Sequence, residues 1–586
     1  MSNASFAIDI RQPQYPAKPR VENHYLYSSI PATWIDGLLV ENPNFWDVST
    51  FSKFRYRATS LIISVTVFPL FLAFDLVRYG AKTLVHRCHA IVNPEAKAHA
   101  EKCGEIAFKC LKGFAATPTG LIWRDIVSNH FLPEKRDDGK IHPTGGLYES
   151  AAEIRTPDTI EEVASIVREA RARGKKISIG GAGYSQGKQI LPNRENDFHI
   201  DMSGINHIRV DRERKVATVG AGATWKDLQN EANSQALAVQ VMQASNVFSI
   251  GGSLSANCHG WDHKMGSLGN TVLSITIINA QGELQVLRPQ DELFGYVLGG
   301  YGMFGVIVEA ELQLADNEEL FEYAEKVDLN DYANYFNQRI QPNPYLRMHL
   351  CRLSLEPGKL LSEGYAQSYS AKDGALSSEH LVDEPDSGRS KDKILMQVAR
   401  NSRFARGLWW KQEVKNMLKV SQGRRNDVMR PPILAAFASN SKAKAEWLQE
   451  YFVPGEHLAE FIRFLGATLD KNDVALLNAS IRFVKKDERA KLGYAVDGDR
   501  FAIVLFFTQA LNKNEVEKTK NWVQAVVNRL TEIGGTFYLP YMHFATQEQF
   551  RECYPAWEDV DAKKRQYDPQ GLFDNGLYQD YFRGNV

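Results

Sequence analysis

Three glycine-rich segments, each next to a predicted strand or helix, limit the folds open to this chain. They are residues 180–187 (GGAGYSQG), residues 249–260 (SIGGSLSANCHG) with 266–270 (GSLGN), and residues 299–307 (GGYGMFGVI). Glycine lets a backbone turn with positive φ and approach another group closely, and the N–H groups of such turns can hold phosphate oxygens. Three loops of this kind along alternating strands and helices predict a large, flat ligand wrapped by backbone.

The residues around the first loop predict a strand and a helix, but not a Rossmann domain. The spacing Thr159-x-x-Glu162 predicts a capping box at the start of a helix, and residues 176–179 predict a short strand that runs into the loop. A Rossmann fingerprint needs its loop to open a helix whose N-terminus faces a pyrophosphate. Residues 188–204 contain a proline and turn residues with no helical period, so that motif is not expected here.

Downstream, residues 275–287 predict a hairpin closed by Gln281 and Gly282, and residues 450–454 and 481–484 predict strands of a second region. The 586 residues suffice for two or three packed units. The formal net charge of −1, with no basic block interleaved with aromatics, argues against nucleic acid as a partner.

Cysteine and histidine usage predicts a reducing compartment and no metal site. The six cysteines form no CxxC pair and no dense disulfide framework, so we expect the chain on the cytoplasmic side of the membrane. The spacing of His86, Cys88, His89 and Cys103 matches none of the usual zinc-ligand patterns.

Residues 60–77 (SLIISVTVFPLFLAFDLV) are the one membrane-like stretch. Pro69 at the centre and Asp75 near the end leave an apolar run shorter than a full span, and arginines and lysines flank both sides. This pattern favours a helix that lies on an anionic lipid surface. A buried core helix or a hydrophobic hairpin is the alternative.

The motifs GGSLSANCHG, GSLGNTV, INAQGE, DELF and GGYGMFGVI, in this order and spacing, resemble the FAD-binding PCMH-type superfamily of vanillyl-alcohol oxidase and para-cresol methylhydroxylase. The wording around His259-Gly260 and residues 266–270 looks closest to decaprenylphosphoryl-ribose oxidases and, more loosely, to sugar-lactone and alditol oxidases. Residues 538–575 are similar to the closing segment of those enzymes.

The resemblance implies an α+β fold class. A PCMH-type two-subdomain FAD-binding domain would cover residues 146–318, and an antiparallel-sheet substrate (cap) domain residues 319–535. Residues 536–586 would close over the flavin. Outside the resemblance, the apolar stretch and a helical pattern near residues 95–112 predict a helical, membrane-associated N-terminal extension over residues 1–115. The turn-rich residues 116–145 predict a connection from that extension to the FAD-binding domain.

The resemblance also implies which residues contact FAD. The first loop would line the pyrophosphate, the second segment would approach the ribityl chain and ring, and the third would hold the adenine side. The residues are Gly181, Ala182, Gly183, Tyr184, Ser185, Gln186, Ser245, Ser249, Gly251, Gly252, Ala256, His259, Gly260, Val306, Ile307 and Tyr538.

Two positions depart from the family pattern. Many relatives tether FAD through a histidine where this chain has Tyr184, so we expect non-covalent FAD. Decaprenylphosphoryl-ribose oxidases have a lysine at the place of Tyr541, so the resemblance does not carry that substrate over.

Four side chains are candidates for catalysis. His259 can exchange a proton near neutral pH and its motif would lie near the ring, although it could instead only shape the FAD loop. Tyr541 could orient an alkoxide, or act as a base if its pKa is depressed, with a packed aromatic as the alternative. His543 and Arg482 are further candidates that structural roles would equally explain.

The leading hypothesis is an FAD-dependent oxidoreductase that oxidises an alcohol to a carbonyl, with a sugar, polyol or lipid-linked sugar as substrate. Oxygen, a quinone or a protein would accept the electrons, and a membrane surface is a further candidate partner. Two alternatives remain open: a sterol-type C=C reductase that consumes NADPH, and a membrane-attached FAD-fold binding or regulatory protein without turnover.

Overall fold

The computed structural model describes residues 139–378, 398–430 and 443–583. They belong to one compact unit, residues 131–586. The expectations for the N-terminal extension, for residues 60–77 and for most of the 116–145 connection lie outside the described residues. Within the described ranges, no helix combines the length and the apolar character that crossing a membrane requires.

A small parallel sheet carries the first glycine-rich loop. Its strand order is β3–β5–β4, with β3 Glu153–Arg155, β4 Ile177–Gly180 and β5 Phe198–Asp201. The predicted strand is therefore β4, and the loop starts where β4 ends. As expected, no helix follows that loop, which confirms that it is not a Rossmann turn.

Helix α1 (Ile160–Ala172) begins at Thr159, whose hydroxyl accepts a hydrogen bond from the Glu162 N–H. The predicted capping box is only half present. The Glu162 carboxylate accepts from the Asp158 N–H at 2.8 Å, one residue before the N-cap. Val163, Val167 and other apolar residues of the helix are buried in the core, as their helical spacing predicts.

The second sheet is antiparallel and places the other two glycine-rich segments. Its order is β10–β9–β11–β7–β6, and β8 pairs with β11. The predicted hairpin is confirmed as β9–β10, with Gly282 at φ 78° in its turn. The strands are β6 Ile208–Asp211, β7 Val216–Gly220, β8 Leu237–Val239, β9 Val272–Ile278, β10 Leu284–Leu287 and β11 Val306–Asp316.

The third sheet has eight antiparallel strands in the order β15–β12–β14–β13–β17–β18–β16–β19. It confirms the predicted antiparallel sheet, including the strands expected near residues 450 and 482. The strands are β12 Glu318–Val327, β13 Leu346–Leu353, β14 Gly364–Leu376, β15 Ser421–Arg424, β16 Lys444–Val453, β17 Ala475–Val484, β18 Arg500–Ala510 and β19 Thr536–Phe537.

The C-terminal segment connects the sheets. Phe573 forms a parallel bridge with Ile177 at the edge of the small sheet, and the Tyr538 N–H donates to the Glu450 carbonyl at 3.0 Å. Residues 538–541 therefore lie beside both the first loop and β16. A pair of two-residue strands, β1 Lys140–Ile141 and β2 Ser150–Ala151, precedes the small sheet.

The remaining helices surround the sheets. They are α2 Trp225–Asn233, α3 Ile250–Ser255, α4 Phe294–Val297, α5 Tyr332–Tyr335, α6 Arg403–Met417, α7 Arg425–Val428, α8 Leu458–Lys471, α9 Lys513–Glu532, α10 Gln547–Cys553, α11 Trp557–Tyr567 and α12 Gly576–Tyr581. The longest cover the third sheet, as the amphipathic patterns of α8 and α9 require.

Candidate functional site

A cavity of about 620 Å³ lies between the glycine-rich segments and the third sheet. On one side is what we call the glycine wall, formed by residues 180–186 and by residues 249–256 around α3. On the other side is the strand wall, formed by one face of β16, β17 and β18 together with Tyr538 and Tyr541. The volume falls within the ~300–1,000 Å³ that is usual for cofactor and ligand sites.

The first loop brings its backbone close to the cavity. Gly183 has φ 77°, and a methyl group added there would meet no protein atom within 4 Å. At Gly181 an added methyl would come within 2.0 Å of the Ser249 hydroxyl oxygen. That hydroxyl in turn accepts from the Ala182 N–H at 3.2 Å. The loop is therefore held against the second segment, while its turn at Gly183 leaves ligand-sized space open.

Helix α3 completes the glycine wall. Its short IGGSLS sequence lies close to the second sheet because Gly251 has no side chain. An added methyl there would lie only 2.7 Å from the side chain of Ala221, which directly follows β7. The Tyr538 hydroxyl donates to the Ala256 carbonyl at 3.2 Å at the C-terminal end of this helix. These contacts bring the Tyr538 ring and the glycine wall together across the cavity.

The strand wall follows from cross-strand register. Glu450 on β16 pairs with Val504 on β18, which pairs with Ser480 on β17. Leu448, Phe506 and Asn478 form the next row, and Arg482 extends the β17 face by one more position. Since side chains alternate along a strand, every second residue of these strands faces the cavity.

A buried hydrogen-bonded chain of side chains lies in the strand wall. His259 Nε2 is 2.5 Å from Glu450 Oε1, and the side chains of both residues are only 2 % exposed. The Tyr541 hydroxyl donates to the other carboxylate oxygen, Glu450 Oε2, at 3.3 Å. His259 Nδ1 is buried and has no hydrogen-bond partner among the described residues. The arrangement can move a proton from Tyr541 to a carboxylate held by an imidazole.

The tyrosines of this wall have raised pKa values. Burial, and next the Glu450 carboxylate, raise the pKa of Tyr541 well above its usual value. Burial likewise raises the pKa of Tyr538. The depressed pKa that would make Tyr541 itself a base is therefore wrong, and its phenol donates a hydrogen bond to Glu450.

Arg482 brings positive charge to the same wall. Burial lowers the pKa of its guanidinium group, and the charges of Glu450 and Tyr541 partly oppose that effect. Arg482 lines the cavity, and its side chain makes no hydrogen bond to another described residue. Its N–H groups remain able to bind an oxygen of a bound molecule.

Most sequence-predicted residues line this one cavity. They are Gly181, Ala182, Gly183, Tyr184, Ser185, Gln186, Ser245, Ser249, Gly251, Gly252, Ala256, His259, Ile307, Arg482, Tyr538 and Tyr541. Three lie elsewhere. Val306 is fully buried in β11, Gly260 packs against the Met242 carbonyl, and His543 Nδ1 donates to the Asp580 carboxylate at 2.9 Å behind the cavity.

Glu450 is the main residue that sequence reasoning missed, although residues 450–454 were predicted as a strand. The signal was a charged residue in the run WLQEYFV, most of whose residues are buried. A carboxylate in such a strand requires a partner, since an unpaired buried charge is costly. The partner, His259, lies 191 residues earlier in the chain, which the local pattern does not reveal.

The FAD expected from the resemblance fits this cavity. The open space at Gly183 and the backbone of residues 181–186 could hold its phosphates. Ala256, His259 and Tyr538 could surround its ring. The phenol of Tyr184, whose ring packs edge-on against Phe248 at 5.1 Å, stands where a tethering histidine would stand in the family pattern.

Two family models match the chain. An FAD binding domain matches residues 151–288, which contain the glycine wall. A D-arabinono-1,4-lactone oxidase family matches residues 389–583, which contain most of the strand wall.

Three curated proteins are similar to this chain over most of their own length. L-Gulonolactone oxidase from Bos taurus is 24% identical, over 73% of this chain and 94% of the relative. Decaprenylphosphoryl-beta-D-ribose oxidase from Mycolicibacterium smegmatis is 23% identical, over 72% and 93%. Cytokinin dehydrogenase 5 from Arabidopsis thaliana is 23% identical, over 77% and 88%.

Proposed function

Because this chain belongs to the PCMH-type superfamily of FAD-dependent oxidoreductases, we propose that it oxidises a hydroxyl group of a sugar, polyol, sugar lactone or lipid-linked sugar to a carbonyl. One observation carries the proposal. The chain of hydrogen bonds from Tyr541 through Glu450 to His259 opens onto the cavity whose opposite wall would hold FAD. Two of the relatives are named for oxidation of a lactone or of a ribose, which supports this substrate class.

FAD, when bound, supplies the two-electron acceptor for the substrate C–H bond. The protein has to remove the hydroxyl proton. We place the substrate hydroxyl against Tyr541 Oη, which takes up its proton while passing the phenolic proton to Glu450 Oε2. The raised pKa of Tyr541 keeps the phenol protonated before the substrate binds.

His259 and Arg482 complete this assignment. His259 Nε2–H holds Glu450 Oε1, which fixes the carboxylate with its second oxygen towards Tyr541. Arg482 offers N–H groups to a second oxygen of the substrate and so orients the ring relative to Tyr541. A sugar or lactone presents several oxygens close together, as this wall requires.

We further propose that FAD is held without a covalent bond. Tyr184 has a phenol in place of the nucleophilic nitrogen of a tethering histidine. Burial also raises the pKa of that phenol, which keeps it protonated and weakly nucleophilic. Acid precipitation of the purified protein should release the yellow colour into the supernatant. Colour that stays in the pellet would contradict non-covalent binding.

The test is anaerobic addition of sugar lactones, polyols and sugar phosphates to the FAD-loaded protein, with the flavin absorbance followed in time. One substrate class should bleach the flavin within seconds, and reoxidation by oxygen, a quinone or a protein identifies the electron acceptor. Bleaching by NADPH alone would favour the C=C reductase. If neither sugars nor NADPH bleached a fully loaded protein, the binding-protein alternative would replace the proposal.

Attachment to the cytoplasmic side of a membrane through residues 60–77 remains a proposal as well. Deleting residues 1–90 should move the protein from the membrane pellet to the cytosolic fraction. An unchanged distribution would favour the core-helix alternative.

A further inference from the structure

Helix α6 (Arg403–Met417) and the residues after it expose an apolar surface that the flavin site does not use. The exposed fractions are 77% for Phe404, 45% for Leu408, 51% for Leu418 and 71% for Val420. Phe404 and Leu408 are one turn apart, so they lie on the same face of α6. We call this set of four residues the α6 patch. Several large hydrophobic side chains exposed together are typical of a surface that binds another protein or a membrane.

Lysines accompany the α6 patch. Lys411, Lys415 and Lys419 are exposed, and among the described residues none of them forms an ion pair. The nearby acidic side chains have other partners: Glu413 pairs with Arg352 at 2.5 Å, and Asp473 with Arg403 at 3.0 Å. The outer face of α6 therefore combines apolar side chains with positive charge, the combination that binds an anionic lipid surface.

The inner face of α6 contacts the cavity wall. Trp409 packs against Leu477 and Phe506, and Phe506 lines the cavity. Trp410 is buried and contacts the Tyr365 ring edge-on at 5.8 Å between centroids. One helix thus separates the outward apolar patch from the strand wall of the site.

We propose that the α6 patch docks on an anionic membrane surface, with Phe404 and Leu408 inserted among the lipids and Lys411 and Lys415 against the headgroups. Docking there brings the strand wall of the cavity next to the bilayer, so that a substrate with an apolar tail reaches the site from the membrane. The docking itself does not depend on the proposed oxidation. It is also separate from residues 60–77, because the binding residues are different.

The test is co-sedimentation of the full-length, FAD-loaded protein with vesicles of phosphatidylcholine, with and without about one-third phosphatidylglycerol. The variants are Phe404→Glu with Leu408→Glu, and Lys411→Glu with Lys415→Glu. The matched control is Leu284→Glu with Val286→Glu, which changes two exposed apolar side chains of β10. We expect each α6 variant to weaken binding to anionic vesicles about tenfold or more, and the control to bind like the wild type.

Three results would overturn the docking proposal. The first is wild-type protein that does not sediment with anionic vesicles. The second is α6 variants that bind like the wild type because residues 60–77 carry the binding. In the third case, Phe404→Glu with Leu408→Glu lowers the melting temperature but not vesicle binding, which would mean that another part of this chain covers the patch. Flavin bleaching by a water-soluble substrate, measured on the same variants, should stay at the wild-type rate, so failed docking and a failed oxidation proposal give different results.

Discussion

The glycine wall and the strand wall of the cavity are built in different ways. The glycine wall depends on short glycine-rich segments, each of which takes its shape from residues close together in the sequence, such as Gly181 and Gly183. The strand wall consists of side chains, and its central contact joins His259 to Glu450, which are 191 residues apart. The first wall can hold a cofactor of fixed shape, whereas the second can vary its chemistry without disturbing that cofactor. Substitutions in the two walls should therefore separate cofactor binding from catalysis.

The largest effect should come from the strand wall. Replacing Glu450 by Gln keeps the size of the side chain but removes the proton acceptor, so the rate of anaerobic flavin bleaching should fall by about 10²–10⁴-fold. The FAD content should stay at the wild-type level. Both are measured by absorbance on one preparation.

A substitution at the neighbouring position of the same strand provides the control. Gln449→Ala changes a side chain on the other face of β16 and leaves the proton acceptor intact. It should keep most of the bleaching rate. If Glu450→Gln bleached as fast as this control, the proton would have another acceptor.

A smaller effect is expected from the glycine wall. Gly183→Ala places a methyl group in the open space of the cavity and imposes a left-handed φ on a residue with a side chain, at a cost of about 1–2 kcal/mol. The dissociation constant for FAD, measured by fluorescence titration of the apoprotein, should rise about tenfold or more. The bleaching rate of the loaded fraction should change little.

Gly174→Ala is the matched control for that substitution. Gly174 also has a positive φ, 64°, and open space around an added methyl, but it follows α1 and does not line the cavity. It should lower the melting temperature as Gly183→Ala does, with FAD affinity unchanged. Equal losses of FAD affinity in the two variants would show that strain alone, and not contact with the cofactor, explains the effect.

The difference between the walls also explains what the sequence predicts. The glycine segments, β4, the β9–β10 hairpin and the strands near residues 450 and 482 follow local patterns, so they are predicted correctly. Val306 and Ile307 are adjacent and were both predicted to contact FAD, but alternation along β11 turns only Ile307 towards the cavity. The pairing of His259 with Glu450 depends on how β16 packs against the segment that follows α3, which no local pattern specifies.

His543 is a second residue whose position the local sequence does not predict. As a histidine close to Tyr541 in the sequence, it was a candidate for catalysis. The structure turns its side chain away from the cavity, where Asp580 holds it and burial lowers its pKa. In a regular strand Tyr541 and His543, two residues apart, would point to the same side. Residues 541–543 form no strand, and the chain bends at Tyr541, so that alternation does not apply to them.

The smallest expected effect is on the pH dependence of the unfolding free energy. A buried histidine behind each wall should contribute to it by a similar amount. Burial lowers the pKa of His199, behind the glycine wall, to about 4, and burial lowers that of His263, behind the strand wall, to about 4. The unfolded chain therefore binds more protons than the folded protein between about pH 6.5 and 4. The stability contributed by keeping these imidazoles neutral is fully present above about pH 6.5 and is lost as the pH falls towards 4.

Each neutral replacement should remove one proton from this dependence. In His263→Leu, and separately in His199→Leu, the slope of the unfolding free energy against pH between 6 and 5 should fall by about 1.4 kcal/mol per pH unit at most. Urea unfolding at pH 7, 6 and 5 measures the slope, which does not depend on the overall stability change that either substitution causes. A reduced slope for His263→Leu alone would mean that His199 takes up its proton in the folded state. The stability lost between pH 6 and 5 would then come from burying His263 and not from burying His199.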